Sequence, residues 1–254
     1  FYKIQTLYLV VFDNKEKYSK KQNEVFSEYD LDREQGLKKY QSLKSKDYTF
    51  DTPMSSEHAV LLASLSLSNQ NFKKILEIGT YDGKNAYYLS KIFPDSKITT
   101  IDLEENDDLF INSYNRDDKQ KRDEFCKERD RILSLSGNIE FKKMNSLNLS
   151  SLNETFDLIW VDGAHGYPYV TIDIINSIRL LSKEGFLLCD DVWKTEPLSQ
   201  DETYHSIAAY KTLLALKKAN ILRFNTIYKR LDKNNNANKK FRKFIAIVKK
   251  FSND

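Results

Sequence analysis

A chain of 254 residues, 40% hydrophobic and 30% charged, is long enough to bury one full core, and one domain with additions is the default organisation. Its formal charge of +3 is too small to argue for a nucleic-acid partner by itself. No run approaches the ~20 apolar residues that span a bilayer, so no membrane partner is expected.

Residues 1–53 read as an accessory region. Leu7-Tyr8-Leu9-Val10-Val11-Phe12 is strand-like, too short for a signal peptide and without a cleavage pattern. Charged helical patches follow around 15–29 and 31–43, and neither carries readable chemistry. Pro53 breaks the chain, and Ser55-Ser56-Glu57 predicts the cap of a helix running to about Leu67. This helix opens the second unit, residues 54–254. His58 on it is placed to line a cofactor or substrate cleft.

An apolar strand over 74–79 then ends in Glu77-Ile78-Gly79-Thr80-Tyr81-Asp82-Gly83-Lys84-Asn85, a glycine turn leading into a helix over 84–92. Such a turn leaves backbone N–H groups free to meet a polar ligand. A second strand, 97–102, ends in Asp102, the position that takes ribose hydroxyls in nucleotide-binding α/β folds. The spacing is Glu-x-Gly-x-x-x-Gly. It lacks the crowded glycines that a pyrophosphate needs, and Gly83-Lys84-Asn85 lacks the hydroxyl of a phosphate loop. Glu77 suits a cofactor with a cationic amino group and no phosphate. The run resembles motif I of class I S-adenosylmethionine-dependent methyltransferases.

Next comes an acidic, Asn/Asp-rich segment, 104–121, for which a lid and a disordered loop are both open readings. A helix over 123–136 and a strand over 139–144 follow. The fourth strand, 156–162, ends in Trp160-Val161-Asp162-Gly163-Ala164-His165. A helix over 168–182 leads to the fifth, 185–190, which ends in Cys189-Asp190-Asp191-Val192-Trp193. Their near-continuous apolar runs predict a parallel sheet covered on both faces. Neighbouring strand ends would bring Asp162, Asp190 and Asp191 together. Three clustered carboxylates repel unless a cation sits among them, and an all-oxygen set suits Mg2+ or another hard divalent ion. Each Asp alone reads equally as the cap of the next helix. His165 beside that cluster is a candidate general base, against the plain reading of a surface loop histidine. His205, in a helix over 203–218, reads as structural or at the substrate rim. Two last strands, 221–230 and 243–250, joined by a polar loop, predict an antiparallel hairpin. The Lys and Arg excess from Ile221 onward reads as a solvated hairpin and tail rather than a nucleic-acid patch. Cys126 and Cys189 read as reduced residues of a cytoplasmic protein.

The expected fold class is α/β: a Rossmann-like, doubly wound, mainly parallel seven-stranded sheet with a C-terminal antiparallel hairpin, plus N-terminal helical additions. Over residues 54–195 the motifs resemble the metal-dependent small-molecule O-methyltransferases, including the catechol and caffeoyl-coenzyme A enzymes, whose sheet closes with such a hairpin. The resemblance implies that Glu77, Gly79, Gly83 and Asn85 surround the methionyl part of S-adenosylmethionine. It puts Asp102 on the ribose and Asn145 and Ser146 near the adenine. It implies that Asp162 borders the cofactor and shares a Mg2+ ion with Asp190 and Asp191. Asp191 stands where those enzymes have Asn and His165 where they have a lysine base. Both departures resemble the macrolide-sugar O-methyltransferases, and they turn the expected small-molecule hydroxyl acceptor from a phenol towards a sugar or polyol. Tyr81 reads as a turn residue packing on a helix. A silent methyltransferase-like binding protein and an NAD-dependent enzyme remain alternatives. A nucleic-acid methyltransferase is disfavoured, because no Asn/Asp-Pro-Pro-aromatic run follows the fourth strand and neither cysteine follows a proline. A homodimer is compatible with the N-terminal additions.

Overall fold

The computed structural model describes residues 15–43, 57–114, 116–196, 206–231 and 242–251. Two helices come first, α1 (Lys15–Ser27) and α2 (Arg33–Ser42), then α3 (Glu57–Leu65). Strands β1 (Lys74–Ile78), β2 (Lys97–Asp102), β3 (Ile139–Lys143), β4 (Phe156–Val161) and β5 (Leu181–Trp193) follow. They alternate with α4 (Lys84–Ile92), α5 (Asp108–Ile111), α6 (Lys119–Leu133) and α7 (Tyr169–Leu180), with a 3-10 turn at Ser146–Ser151 after β3. After α8 (Ala208–Lys218) come β6 (Leu222–Tyr228) and β7 (Lys243–Lys250). The seven strands form one sheet in the order β3-β2-β1-β4-β5-β7-β6. β1 to β5 pair in parallel, and β7 runs antiparallel to both β5 and β6.

Successive strand residues point to opposite faces, so each apolar strand feeds two cores. Ile75, Leu158, Trp160, Phe186, Leu188, Ile245 and Ile247 join α3, α4 and the N-terminal helices on one face. Leu76, Ile159, Val161, Leu187, Cys189, Ala246 and Val248 pack with α7 and α8 on the other. Phe26 of α1, Tyr29 of the turn after it and Tyr40 of α2 belong to the first of these cores. Gly36 lets α2 close on α3: a Cβ there would stand 2.6 Å from the Val60 carbonyl oxygen. Arg33 adds a two-pronged ion pair to Glu57, at 2.6 and 2.8 Å.

Several elements differ in their bounds from the sequence reading: β5 begins at Leu181 and α8 at Ala208. β5 continues past residue 190 to Trp193, because a bulge between Cys189 and Val192 lets the strand resume its pairing with β7. Asp191 sits in that bulge at φ 49°. Helix α6 starts earlier than expected, at Lys119, where the Asp118 side chain accepts from the Lys121 N–H and sets the N-cap. The expected early strand at 7–12 and the cap at Ser55-Ser56 lie outside the described residues.

Candidate active site

The strand order reverses between β1 and β4, and an open α/β sheet takes its ligand outside the carboxyl ends of strands at such a switch point. A cavity of about 310 Å3 lies there. Its walls include Gly79, Asp102, Asn145, Ser146, Asp162, His165, Asp190, Asp191 and Lys229.

Gly79 turns the chain out of β1 at φ +100°. A Cβ there would meet the Asp162 carbonyl oxygen at 2.3 Å, so the position admits no side chain. Asp102 receives the Tyr81 N–H at 2.9 Å and the Leu103 N–H at 2.8 Å, which aim its carboxylate along the cavity wall. Burial raises its pKa, and those two N–H groups oppose the rise. Asn145 caps the 3-10 turn by accepting from Leu147 N–H at 2.9 Å.

Glu77, Gly83 and Asn85 lie behind the cavity wall rather than in it. The Glu77 carboxyl is fully buried; Thr100 donates to it at 2.5 Å and Asn85 at 2.7 Å. It thereby ties the glycine turn to β2. Burial pushes the Glu77 pKa up to about 8, against the pull of those two hydrogen bonds. Gly83 caps α4 at φ +77°, where a Cβ would stand 3.1 Å from the Leu133 side chain; its small size serves the approach of α4 and α6.

The neutral carboxyl of native Glu77 carries a pH signature. The unfolded chain gives up this proton near 4.5 and the native protein only near 8, so the contribution to stability is full below about 4.5 and declines as pH rises to about 8. Glu77→Gln keeps the shape without the charge. At pH 9 it is expected to be more stable than wild type by on the order of a few kcal/mol, with little difference at pH 4. Thermal melts at both pH values check this, and an equal effect at each would contradict it.

At the other end of the cavity Asp162, Asp190 and Asp191 line the same wall as a lysine. Lys229, one residue past β6 and 7% exposed, donates to Asp190 Oδ2 at 2.5 Å and to Asp191 Oδ1. Lys243 donates to Asp191 Oδ2. Burial alone would lower the Lys229 pKa, but the carboxylates of Asp190, Asp191 and Asp162 outweigh it and hold the ammonium charged. Burial likewise favours a neutral Asp191, and the ammonium groups of Lys229 and Lys243 reverse it, keeping this carboxyl ionised. Burial and the Asp190 charge lift Asp162 well above the usual carboxylate range. Its side chain is 35% exposed, and that opening is to the cavity.

The divalent ion expected from Asp162, Asp190 and Asp191 does not fit this arrangement. Three of the four oxygens of Asp190 and Asp191 are taken by lysine N–H groups; Asp190 Oδ1 alone has no partner among the described residues. A divalent ion about 4 Å from the Lys229 ammonium would be repelled by about 8 kcal/mol at an effective dielectric of about 20. Among the described residues no group of three or more His, Cys, Asp or Glu side chains is disposed to hold a metal.

His165 is 6% exposed, with Nε2 3.7 Å from both Asp162 Oδ1 and Asp191 Oδ2. Burial lowers its pKa below 6.5 against the pull of Asp191 and Asp190, so at neutral pH it is an unprotonated imidazole able to take a proton. His58 is packed 5.4 Å from the Trp160 ring, pushed down to about 4 by burial, and does not line the cavity. His205 lies outside the described residues.

Segment 104–121 contributes Leu109, Phe110, Ser113, Tyr114 and Arg116 to the wall beside Asp102. Tyr81 packs on it, 5.0 Å from the Tyr114 ring and 5.3 Å from Phe125 of α6, as expected of a turn residue. Two charged wall residues outside that segment escaped the sequence reading. Asp173, 2% exposed on α7, lies one helical face with Val170, Ile174 and Ser177, and that apolar period was the available signal. Burial pushes its carboxyl up to about 6. Lys229 was read as part of the solvated basic hairpin, and only its place directly after an apolar strand could have marked it. Cys126 and Cys189 are both buried and free.

Residues 76–192 match a family described as "Methyltransferase domain". No curated protein sequence matches the chain. Among solved structures the chain resembles the O-methyltransferase TomG from Streptomyces achromogenes, involved in tomaymycin synthesis and solved with S-adenosylmethionine. The identity is 16% and the TM-score 0.52, over 87% of this chain and 89% of that one. An O-methyltransferase from Bacillus cereus in complex with S-adenosylhomocysteine is similar at 15% identity and TM-score 0.53, covering 86% of this chain and 90% of that one. The N-methyltransferase NodS from Bradyrhizobium japonicum is similar at 19% and 0.50, covering 79% and 98%. The fold thus serves both oxygen and nitrogen acceptors. No helix among the described residues is long and apolar enough to cross a membrane. Over residues 76–192 the chain is therefore similar to a methyltransferase-domain family, and its sheet has the fold of solved S-adenosylmethionine-dependent methyltransferases.

Proposed function

We propose that this methyltransferase moves a methyl group from S-adenosylmethionine to a hydroxyl of a small molecule, a sugar, polyol or phenol, with His165 as general base. The observation that carries the reading is one cavity whose walls hold both the glycine turn with Asp102 and the buried imidazole of His165. S-adenosylmethionine, when bound, supplies an electrophilic methyl on a sulfonium. Asp102 takes the ribose hydroxyls, Asn145 and Ser146 border the adenine, and the turn at Gly79 meets the methionyl portion. This leaves the acceptor at the His165 end.

An alcohol is a poor nucleophile until its proton is removed as it attacks. The acceptor oxygen would bond to the methyl carbon that the sulfonium gives up, sulfur keeping the electron pair of the broken carbon–sulfur bond, and His165 would take the acceptor's proton. The imidazolium so formed lies 3.7 Å from the Asp191 carboxylate, which stabilises it. Alignment of oxygen and methyl in one small cavity makes the step effectively unimolecular. The divalent ion expected from the sequence has no step in this mechanism, because Lys229 and Lys243 engage the carboxylates that would hold it.

Calorimetric titration of S-adenosylhomocysteine tests the cofactor half, with micromolar binding expected. The same protein is then screened for methyl transfer to hydroxylated sugars and phenols, with amines as the contrast. Absence of binding would overturn the cofactor assignment; turnover confined to amines would overturn the oxygen assignment.

A further inference from the structure

We infer that the acceptor end of this site works with the ammonium of Lys229 in the place of a divalent metal ion. The inference rests on the methyltransferase reading above and adds to it the identity of the charge that faces the acceptor.

Lys229 is built into the site by its backbone as well as its side chain. Its N–H donates to the Lys243 carbonyl at 3.1 Å, and its carbonyl accepts the Glu57 N–H at 2.8 Å. Glu57 is in turn gripped by Arg33 from α2 and by Gln22 from α1, the latter at 2.9 Å. Gln22 also spans the end of β6, accepting the Tyr228 N–H at 2.8 Å and donating to the Tyr228 carbonyl at 3.1 Å. The N-terminal helices therefore fix the place where the lysine leaves the sheet. Its ammonium then bridges Asp190 and Asp191, while lining the same cavity as His165 and Asp162.

Charge balance favours the same arrangement. Asp190 and Asp191 bring two negative charges, and Lys229 and Lys243 bring two positive ones. No excess negative charge is left between that pair to hold a divalent ion. A primary ammonium has three N–H donors; two go to the carboxylates, and the third is available to the acceptor oxygen. A hydrogen bond from a fixed cation to an oxygen that gains negative charge as its proton leaves supplies what a metal would: orientation and stabilisation of the developing charge. Unlike a bound ion, it is covalently attached and cannot be removed by a chelator.

The test uses Mn2+ as probe, followed by electron paramagnetic resonance on the full chain with S-adenosylhomocysteine present. Wild type is expected to show no saturable Mn2+ uptake below about 1 mM, whereas Lys229→Ala, with its carboxylates freed, should bind Mn2+ at least about tenfold more tightly. Wild-type uptake of one Mn2+ at micromolar concentration, lost in Asp191→Asn, would overturn the inference. So would a folded Lys229→Ala that gains no Mn2+ affinity. Should Lys229→Ala fail to fold, the wild-type titration decides alone. S-adenosylhomocysteine binding in the same samples separates the two layers: its absence strikes the cofactor reading, whatever the Mn2+ result.

Discussion

Replacing His165 by alanine is expected to lower turnover by about 10^2 to 10^4-fold, the usual worth of a positioned general base, while S-adenosylhomocysteine affinity stays within about twofold of wild type. The split follows from where the residue stands. His165 enters the cavity on the loop after β4, among Asp162, Asp191 and Lys229, whereas the residues proposed for the adenosine side stand at the end of β2 (Asp102) and just after β3 (Asn145 and Ser146). Removing the imidazole therefore takes away a proton acceptor and leaves the cofactor wall standing. The pH profile gives an independent reading. Because burial holds the imidazole pKa below 6.5, the acid limb of turnover in wild type should fall below pH 6.5, and it should vanish from the residual rate of His165→Ala. Initial rates of S-adenosylhomocysteine formation across pH, with calorimetry on the same preparation, check both parts. Full activity in the variant, or an unchanged acid limb, would remove His165 from the mechanism.

What the sequence revealed and what it hid divide along a physical line. Local chemistry was legible: the glycine turn, the strand-end acids Asp102 and Asp162, and the alternation that sets a parallel sheet with a final antiparallel pair are all written in short runs of residues. The span of α4, Lys84–Ile92, follows from its apolar period and the glycine before it. Long-range pairing was not legible. Lys229 is 38 residues from Asp191 along the chain, and nothing in the neighbourhood of either predicts that the strand order β5-β7-β6 folds one onto the other. The carboxylate cluster therefore read as a metal site, because its own cation was invisible. Glu77 shows the converse. Its type and place pointed towards a ligand, yet its carboxyl is spent on Thr100 and Asn85, holding the turn from behind. A strand-end acid can serve the cofactor by fixing the backbone that meets it, and only the structure distinguishes that role from direct contact.

Gly79→Ala is expected to lower stability by about 3 kcal/mol or more and to take S-adenosylhomocysteine binding below detection. Two costs add. The backbone at φ +100° is one that a residue with a Cβ adopts only under strain, and the new methyl would also lie 2.3 Å from the Asp162 carbonyl oxygen and 2.9 Å from the Gly163 nitrogen. Neither atom can yield cheaply, because the Asp162 N–H is bound to the Ile78 carbonyl at 2.9 Å, which locks the end of β4 to the end of β1. Relief would have to come from spreading the two strands at the point where the sheet order reverses, which is the floor of the cavity. For a chain of this size each kcal/mol corresponds to about 2–4 °C in Tm, so the melting temperature should fall by roughly 6–12 °C. Gly137→Ala is the matched control: a Cβ there meets nothing within 4 Å, and both stability and binding should stay close to wild type. If Gly79→Ala melted normally and still bound S-adenosylhomocysteine, the close approach of the two strand ends would not be a requirement of the site. If it melted normally but lost binding, the glycine would be serving the ligand's approach alone. The expected joint loss ties the geometry of the switch point to the cavity built on it.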